Sequence, residues 1–359
     1  MTTYLLAGGG TAGHVNPLLA VADALRARDR RAEVLVLGTR EGLEARLVPA
    51  RGYELLFVDK VPFPRRPDRA ALRFPGRFRR AVAQVRAIVR DRGVDVVVGF
   101  GGYAAAPAYV AARRERVPVV VHEANAKPGL ANVLGARRAA AVGVAFAGTR
   151  LRAAQTVGMP LRREIVELDA ASLRAEAGAR YGLDPARPTL LVFGGSLGAR
   201  RLNEAFAGAY GDVLAAGYQL VHLTGAGWAG TDPGVAGYVV RPYEDRMDLA
   251  FAIADVIVSR SGAATVSEIS ALGIPAVYVP YAVGNGEQAL NARSAVEAGA
   301  ALLIPDADFT SERVRTEVVP LLADATRLAR MRAAASAVGT RTGAENVVAL
   351  IDAALAGRT

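Results

Sequence analysis

The sequence predicts an α/β protein: two Rossmann-like parallel-sheet domains facing across a cleft. Three observations lead there. Short β-branched runs alternate with amphipathic helical stretches along the chain, the signature of βαβ units. At 359 residues the chain exceeds a comfortable single core. Each half opens with a strand that runs into a glycine loop, Gly8-Gly-Gly-Thr-Ala-Gly13 and Gly194-Gly-Ser-Leu-Gly-Ala199.

Taken in order, the first half offers strands at Tyr4–Ala7, Glu33–Leu37, Glu54–Val58, Asp95–Phe100, Val117–His122 and Ala141–Phe146. The first of these meets the glycine loop and then a helix capped by Asn16 and Pro17, a proline being tolerated where a helix begins. Gly158-Met-Pro-Leu-Arg162 reads as a hinge and Leu168–Ala179 as a linking helix. The alternation restarts with strands at Thr189–Phe193, Gln219–Leu223, Tyr238–Arg241, Asp255–Ser259, Ala276–Val279 and Ala301–Ile304. The domains are thus residues 1–161 and 162–338. A last helix, about Gly343–Leu355 within 339–359, lies beyond the second sheet's complement of strands and is expected to pack back on the first domain.

Composition narrows the function. Hydrophobic content of 52% and a mean hydropathy of +0.22 argue for a packed globular protein and against disorder. Without cysteine, disulfides and Cys-ligated zinc are excluded, which fits a reducing compartment. Met1-Thr-Thr-Tyr-Leu-Leu-Ala lacks the basic start of a signal peptide. The longest apolar stretch, around Ala139–Ala147, falls far short of the ~20 residues of a spanning helix. A net charge of +10 and a pI near 10.2 call for an anionic partner: nucleic acid, anionic lipid or a phosphorylated substrate.

The glycine loops carry the chemistry. Gly8–Gly13 satisfies G-x-G-x-x-G, but a dinucleotide site also needs an acidic residue at the end of the second strand. That strand ends Val36-Leu-Gly-Thr39, with no carboxylate. The loop runs instead into His14, placing an imidazole beside backbone N–H groups. His122 and Glu123 close a buried strand, with Asn125 just after, and Gly101-Gly-Tyr103 ends another at the same edge, where ligands bind in such sheets. In the second half, Gly194–Ala199 lets a pyrophosphate approach a helix start. Ser259-Arg-Ser-Gly-Ala-Ala-Thr-Val-Ser-Glu268 is the densest constellation: hydroxyls and N–H groups suit phosphate, and a carboxylate one turn in can accept both hydroxyls of a ribose. Glu287 and Gln288 follow a polar loop as candidate sugar contacts. His222 lies on a strand, where core and ligand roles are equally open. In Val61–Arg80, Leu72, Phe74 and Phe78 stand beside Arg73, Arg77, Arg79 and Arg80, so that rings can dip into lipid while arginines meet anionic headgroups. No nucleic-acid module is recognisable.

Together these residues resemble the MurG family, the transferases that add N-acetylglucosamine to lipid I to make lipid II. The resemblance rests on Gly9–His14, Gly101–Tyr103, His122-Glu-x-Asn125, Gly194–Arg200 with Asn203, Arg260–Glu268, and Gln288 with Asn291. It implies the GT-B fold, UDP-N-acetylglucosamine as donor, inversion at the anomeric carbon, no cofactor or obligatory metal, and peripheral attachment to the cytoplasmic face of the plasma membrane. Anionic phospholipid and the proteins of wall synthesis and division are the further partners implied. Carried over by position, donor contacts are Thr11, Ala12, Gly13, Asn125, Arg162, Ser196, Tyr243 through its backbone, Ala263, Ala264, Thr265, Val266, Ser267, Glu268 and Gln288. The acceptor side is His14, Tyr103, His122 and Asn125. The chain departs from the family at Met159, Leu197 and Glu287, where sugar contacts differ. For the general base, His14 and Glu123 both stand as candidates, since an imidazole with a pKa of about 6.5 and a nearby carboxylate can each take a hydroxyl proton. A UDP-N-acetylglucosamine 2-epimerase of the same fold and a non-catalytic basic nucleotide-binding protein are the rival readings.

Overall fold

A computed structural model describes residues 1–64, 69–195, 199–230, 232–281 and 286–357. The chain forms two compact units, Met1–Arg162 with Arg341–Thr359, and Arg163–Thr340.

In the first unit β1 (Thr3–Ala7), β2 (Glu33–Gly38), β3 (Glu54–Phe57), β4 (Val96–Gly99), β5 (Val119–Glu123), β6 (Ala141–Val144) and β7 (Ala154–Thr156) form one parallel sheet in the order β3-β2-β1-β4-β5-β6-β7. Both faces of the sheet are covered. Leu5 and Ala7 of β1 join a core with Val82 and Val85 of the helix Arg69–Asp91, while Tyr4 and Leu6 join the opposite core with Leu18 and Val21 of the helix Ala12–Arg28. This period-two division explains why parallel strands read as unbroken apolar runs. The terminal helix Gly343–Ala356 seals the second of these cores with Val347, Val348 and Ile351.

The second unit holds β8 (Thr189–Phe193), β9 (Gln219–Leu223), β10 (Tyr238–Arg241), β11 (Val256–Ser259), β12 (Ala276–Tyr278) and β13 (Ala301–Leu303), parallel in the order β10-β9-β8-β11-β12-β13. In each unit the winding reverses beside the strand that feeds the glycine loop. β1 is flanked by β2 and β4, and β8 by β9 and β11, so the connections leave to opposite sides and open a crevice at the strand ends.

Three expectations change. The helix after the first glycine loop starts at Ala12, with Thr11 as its cap residue, and Pro17 sits inside it, removing one N–H from the ladder. β7 escaped detection because it is a three-residue, largely exposed edge strand without an apolar run. In the basic segment, Phe74 and Phe78 face inward. With Val82 and Val85 they follow helical spacing, pack against the core, and cluster with Phe63 at centroid distances of 5.5 and 6.4 Å. Leu72 is 83% exposed, and Arg73, Arg77, Arg79 and Arg80 are exposed around it, while Arg77 donates to the Lys60 carbonyl.

The terminal helix offers a test of packing. Ile351 is fully buried, and Ile351→Ala should destabilise the protein by about 2–5 kcal/mol in urea unfolding. Asp352→Ala, which removes an exposed ion pair with Arg28, should cost no more than about 1 kcal/mol in the same experiment.

Candidate active site

The strand ends of β1, β4 and β5 bring the first unit's polar residues to one edge. After β1 the loop turns through Gly9 and Gly10, and the helix start sets His14 one turn in, half-buried. His14 Nδ1 lies 3.1 Å from the Gly9 carbonyl and 3.2 Å from Thr11 Oγ1. A carbonyl only accepts, so Nδ1 carries the hydrogen, and neutral His14 keeps its Nε2 lone pair. After β4, Gly101 and Gly102 pass close by. A Cβ on Gly101 would meet His14 Nε2 at 3.1 Å, and one on Gly102 would strike the Gly9 carbonyl oxygen at 2.2 Å. Gly102 also has φ +80°, so glycine is required twice over. Tyr103 is partly exposed, with the Lys60 ammonium 5.0 Å above its ring.

Beneath the loop lies a residue that sequence reading missed. Glu44 is fully buried, and its carboxylate accepts from Gly10 N–H (2.7 Å), Thr39 N–H (2.8 Å) and the Thr39 hydroxyl (2.9 Å). Burial raises its pKa, but these donors outweigh burial and hold it below the usual carboxylate value. A Cβ on Gly9, Gly38 or Gly42 would collide with this side chain at 2.2, 2.4 and 2.0 Å. The surrounding glycines were the signal available in the sequence.

The end of β5 corrects two expectations. His122 is fully buried and donates from Nε2 to the Gly158 carbonyl at 3.0 Å, and burial pushes its pKa down to about 4. It pins the loop before Arg162 and has no surface to offer an acceptor. Glu123 is buried too. Its two oxygens accept from the N–H groups of Asn125 (2.9 Å) and Gly129 (3.0 Å) and from Asn132 Nδ2 (2.9 Å), so it shapes the loop carrying Asn125 and is not placed to act as base. Asn132, also missed, completes this net by accepting from the Tyr109 hydroxyl at 2.7 Å. Thr11, Ala12, Gly13, Asn125 and Arg162 all retain exposed or half-buried surface.

In the second unit Ser196 and Leu197 lie outside the described residues. Among the described residues of this unit are two cavities. One, of about 180 Å³, is lined by Phe193, Gly195, Leu223, Tyr243, Glu244 and Glu268. The other, of about 500 Å³, includes Gly194, Arg200, Arg260, Tyr281, Gln288 and Asp306. The structure thus joins Tyr243 and Glu268 in a largely apolar slot suited to a nucleoside, and sets Gln288 in a neighbouring, more charged space. The helix Ala263–Ala271 leaves the N–H groups of Ala263, Ala264 and Thr265 without intrahelical acceptors. Val266 is a correction: its side chain is buried and its N–H bonds the Gly262 carbonyl, so neither is open to a donor. Ser267 is half-buried. Arg260 pairs with Asp306 at 2.5 Å and donates to the Val279 carbonyl, anchoring the loop after β12. His222 settles as a core residue: Nε2 donates to Asn203 Oδ1, Nδ1 accepts from the Tyr238 hydroxyl, and burial lowers its pKa to about 4.

Comparison with known proteins fits this geometry. The description "Glycosyltransferase family 28 N-terminal domain" matches residues 4–144, and "Glycosyltransferase family 28 C-terminal domain" matches residues 189–347. The chain is 62% identical over 359 residues to a protein of Clavibacter michiganensis subsp. michiganensis, covering 100% of this chain and 98% of the relative. That relative is named UDP-N-acetylglucosamine–N-acetylmuramyl-(pentapeptide) pyrophosphoryl-undecaprenol N-acetylglucosamine transferase. The crystal structure of Acinetobacter baumannii MurG is similar at a TM-score of 0.80 and 28% identity, covering 98% of this chain and 99% of that one. A UDP-GlcNAc 2-epimerase from Neisseria meningitidis shares the fold at a TM-score of 0.69 and 12% identity, covering 98% and 99%.

Glu244, on the wall of the smaller cavity, yields a pH prediction. Burial works to raise its pKa, but Arg180 at 2.5 Å, the Arg246 N–H and the Tyr181 hydroxyl hold it down at about 2, against an ordinary 4.5. A depressed folded-state pKa contributes stability above the unfolded value and loses it as pH falls through the folded one. Its stabilising contribution should therefore be fully present above pH 4.5 and disappear as pH falls from there toward the folded value. Urea unfolding across that range should show the loss, and Glu244→Gln should be less stable at neutral pH and markedly less dependent on pH.

Proposed function

The chain belongs to glycosyltransferase family 28, and from that premise we propose that it moves N-acetylglucosamine from UDP-N-acetylglucosamine to the C4 hydroxyl of the muramyl sugar in lipid I. The product is lipid II, for peptidoglycan. The observation that carries this reading is identity of 62%, end to end, with a transferase of that name.

The residues divide the work. In the second unit Glu268 chelates the ribose hydroxyls and the Tyr243 backbone meets the uracil. The N–H groups at the start of the helix Ala263–Ala271, with Thr265 and Ser267, receive the pyrophosphate, aided by Ser196 and Gln288. In the first unit Tyr103 and Asn125 cradle the acceptor, and Thr11, Ala12, Gly13, Asn125 and Arg162 are donor contacts. His14 Nε2 takes the proton as the C4 oxygen bonds to the anomeric carbon, and the bond from that carbon to the diphosphate breaks with its electron pair leaving on UDP. Attack from the face opposite UDP inverts the centre. Charge gathering on the leaving diphosphate is met by backbone dipoles that need no reorganisation.

Mixing the protein with UDP-N-acetylglucosamine, with and without lipid I, tests the activity: transfer supports it, whereas epimerised sugar or no turnover overturns it. His14→Ala should lose about 10²–10⁴-fold in kcat while binding donor normally. Glu268→Ala should weaken UDP binding roughly ten- to a hundred-fold, and unchanged binding by calorimetry would remove its role.

The same reading puts the enzyme peripherally on the cytoplasmic face of the plasma membrane, beside the wall-synthesis and division machinery. No described helix is long and apolar enough to cross a membrane. Exposed Leu72 among Arg73, Arg77 and Arg80 supports a contact with anionic phospholipid. Arg73→Glu with Arg80→Glu should release the protein from anionic vesicles, at about 1 kcal/mol per basic residue, and leave turnover of a water-soluble acceptor unchanged. Equal loss on both acceptors would mean a folding role for this helix.

A further inference from the structure

We propose that Glu44 is a positioning residue for the base, acting on His14 through the peptide bond between Gly9 and Gly10. This rests on the reading of His14 as the base. The two hydrogen bonds that flank that peptide are on one amide group: its N–H donates to the Glu44 carboxylate at 2.7 Å, and its carbonyl accepts from His14 Nδ1 at 3.1 Å. A carboxylate on the N–H side polarises the amide and makes the carbonyl oxygen a stronger acceptor, since hydrogen bonds in series reinforce one another. The stronger acceptor holds the hydrogen on Nδ1, turns Nε2 toward Gly101, and stabilises the imidazolium that forms when Nε2 takes a proton. An aspartate bonded directly to a histidine does the same in hydrolase triads, and here one amide stands between.

The surroundings are built for a charged group at this point. A buried carboxylate is costly unless its oxygens are satisfied, and Glu44 receives three donors. Gly9, Gly38 and Gly42 give up their side chains to make room for it, and Gly102 closes on the other side of the same peptide, against the Gly9 oxygen. The other titratable groups against the loop are Tyr103, whose ring carbons come within 3.9 Å of a Cβ built on Gly10, and Lys60 above that ring. Neither bonds to the amide.

The chain's histidine content makes the tautomer readable. There are three histidines, and the bonds of His122 and His222 put their hydrogens on Nε2. Imidazole ¹⁵N resonances of the parent at neutral pH should show two Nε2–H rings and one Nδ1–H ring, the last vanishing in His14→Ala. In Glu44→Gln the His14 signal should move toward a mixture of tautomers. That variant should lose about 10- to 100-fold in kcat, the range found when outer partners of functional histidines are removed. Its KM for UDP-N-acetylglucosamine should hold, and the limb on which kcat/KM rises with pH should shift to lower pH. An Nε2–H tautomer for His14 in the parent overturns the proposal without any variant having to fold. Unmoved resonances and pH profile in Glu44→Gln, with His14→Ala inactive, overturn it and leave the base assignment standing. Full turnover and an intact limb in His14→Ala overturn both.

Discussion

Everything at the two sites depends on where the winding of each sheet reverses. A parallel strand flanked on both sides by partners whose connections leave in opposite directions has nothing above its carboxyl end, and the chain there can turn sharply with its N–H groups facing outward. β1 beside β4, and β8 beside β11, are those places. The glycines follow from the geometry, since only backbone without side chains can thread the crevice. The closeness of Gly102 to the Gly9 oxygen measures how little room is left.

A second theme is that buried carboxylates organise these loops without reacting. Glu44 holds the turn before His14, Glu123 holds the loop of Asn125, and Glu244 ties Arg180 and the Arg246 N–H beneath the smaller cavity. Each spends its lone pairs on backbone N–H groups and on side-chain donors, from Thr39 for Glu44, Asn132 for Glu123, and Arg180 and Tyr181 for Glu244, and gains a fixed shape for the neighbouring exposed segment. Rigidity at the edge of a ligand site is then supplied from below, leaving the exposed residues free of structural duty.

Much of this was legible in the sequence, because it depends on local pattern. Three strands of the second sheet, Thr189–Phe193, Gln219–Leu223 and Tyr238–Arg241, match their predicted limits, since apolar runs between polar or glycine breaks leave little choice. Local pattern failed where the deciding partner is far along the chain. Glu44 meets Gly10, 34 residues away, and only the glycines nearby, Gly38 and Gly42, hint at its burial. His122 looked like a strand-end ligand until Gly158, 36 residues on, took its only N–H. Phe74 and Phe78 were misread for another reason. Their arginine neighbours drew attention to charge, while spacing of four residues, continued by Val82, already described an inward stripe.

The terminal helix gives the molecule a history in time. The first unit is discontinuous: its chain leaves after Arg162, returns at Arg341, and only then supplies Val347 and Ile351 to the core beneath the helix that carries His14. A ribosome delivers residues in order. The second unit, continuous from Arg163 to Thr340, has all its strands before that helix emerges. The unit begun first is therefore finished last, and a nascent chain carries the loop of His14 on an open apolar face until that helix emerges. Emergence of the helix Gly343–Ala356 is itself the step that closes the core under His14.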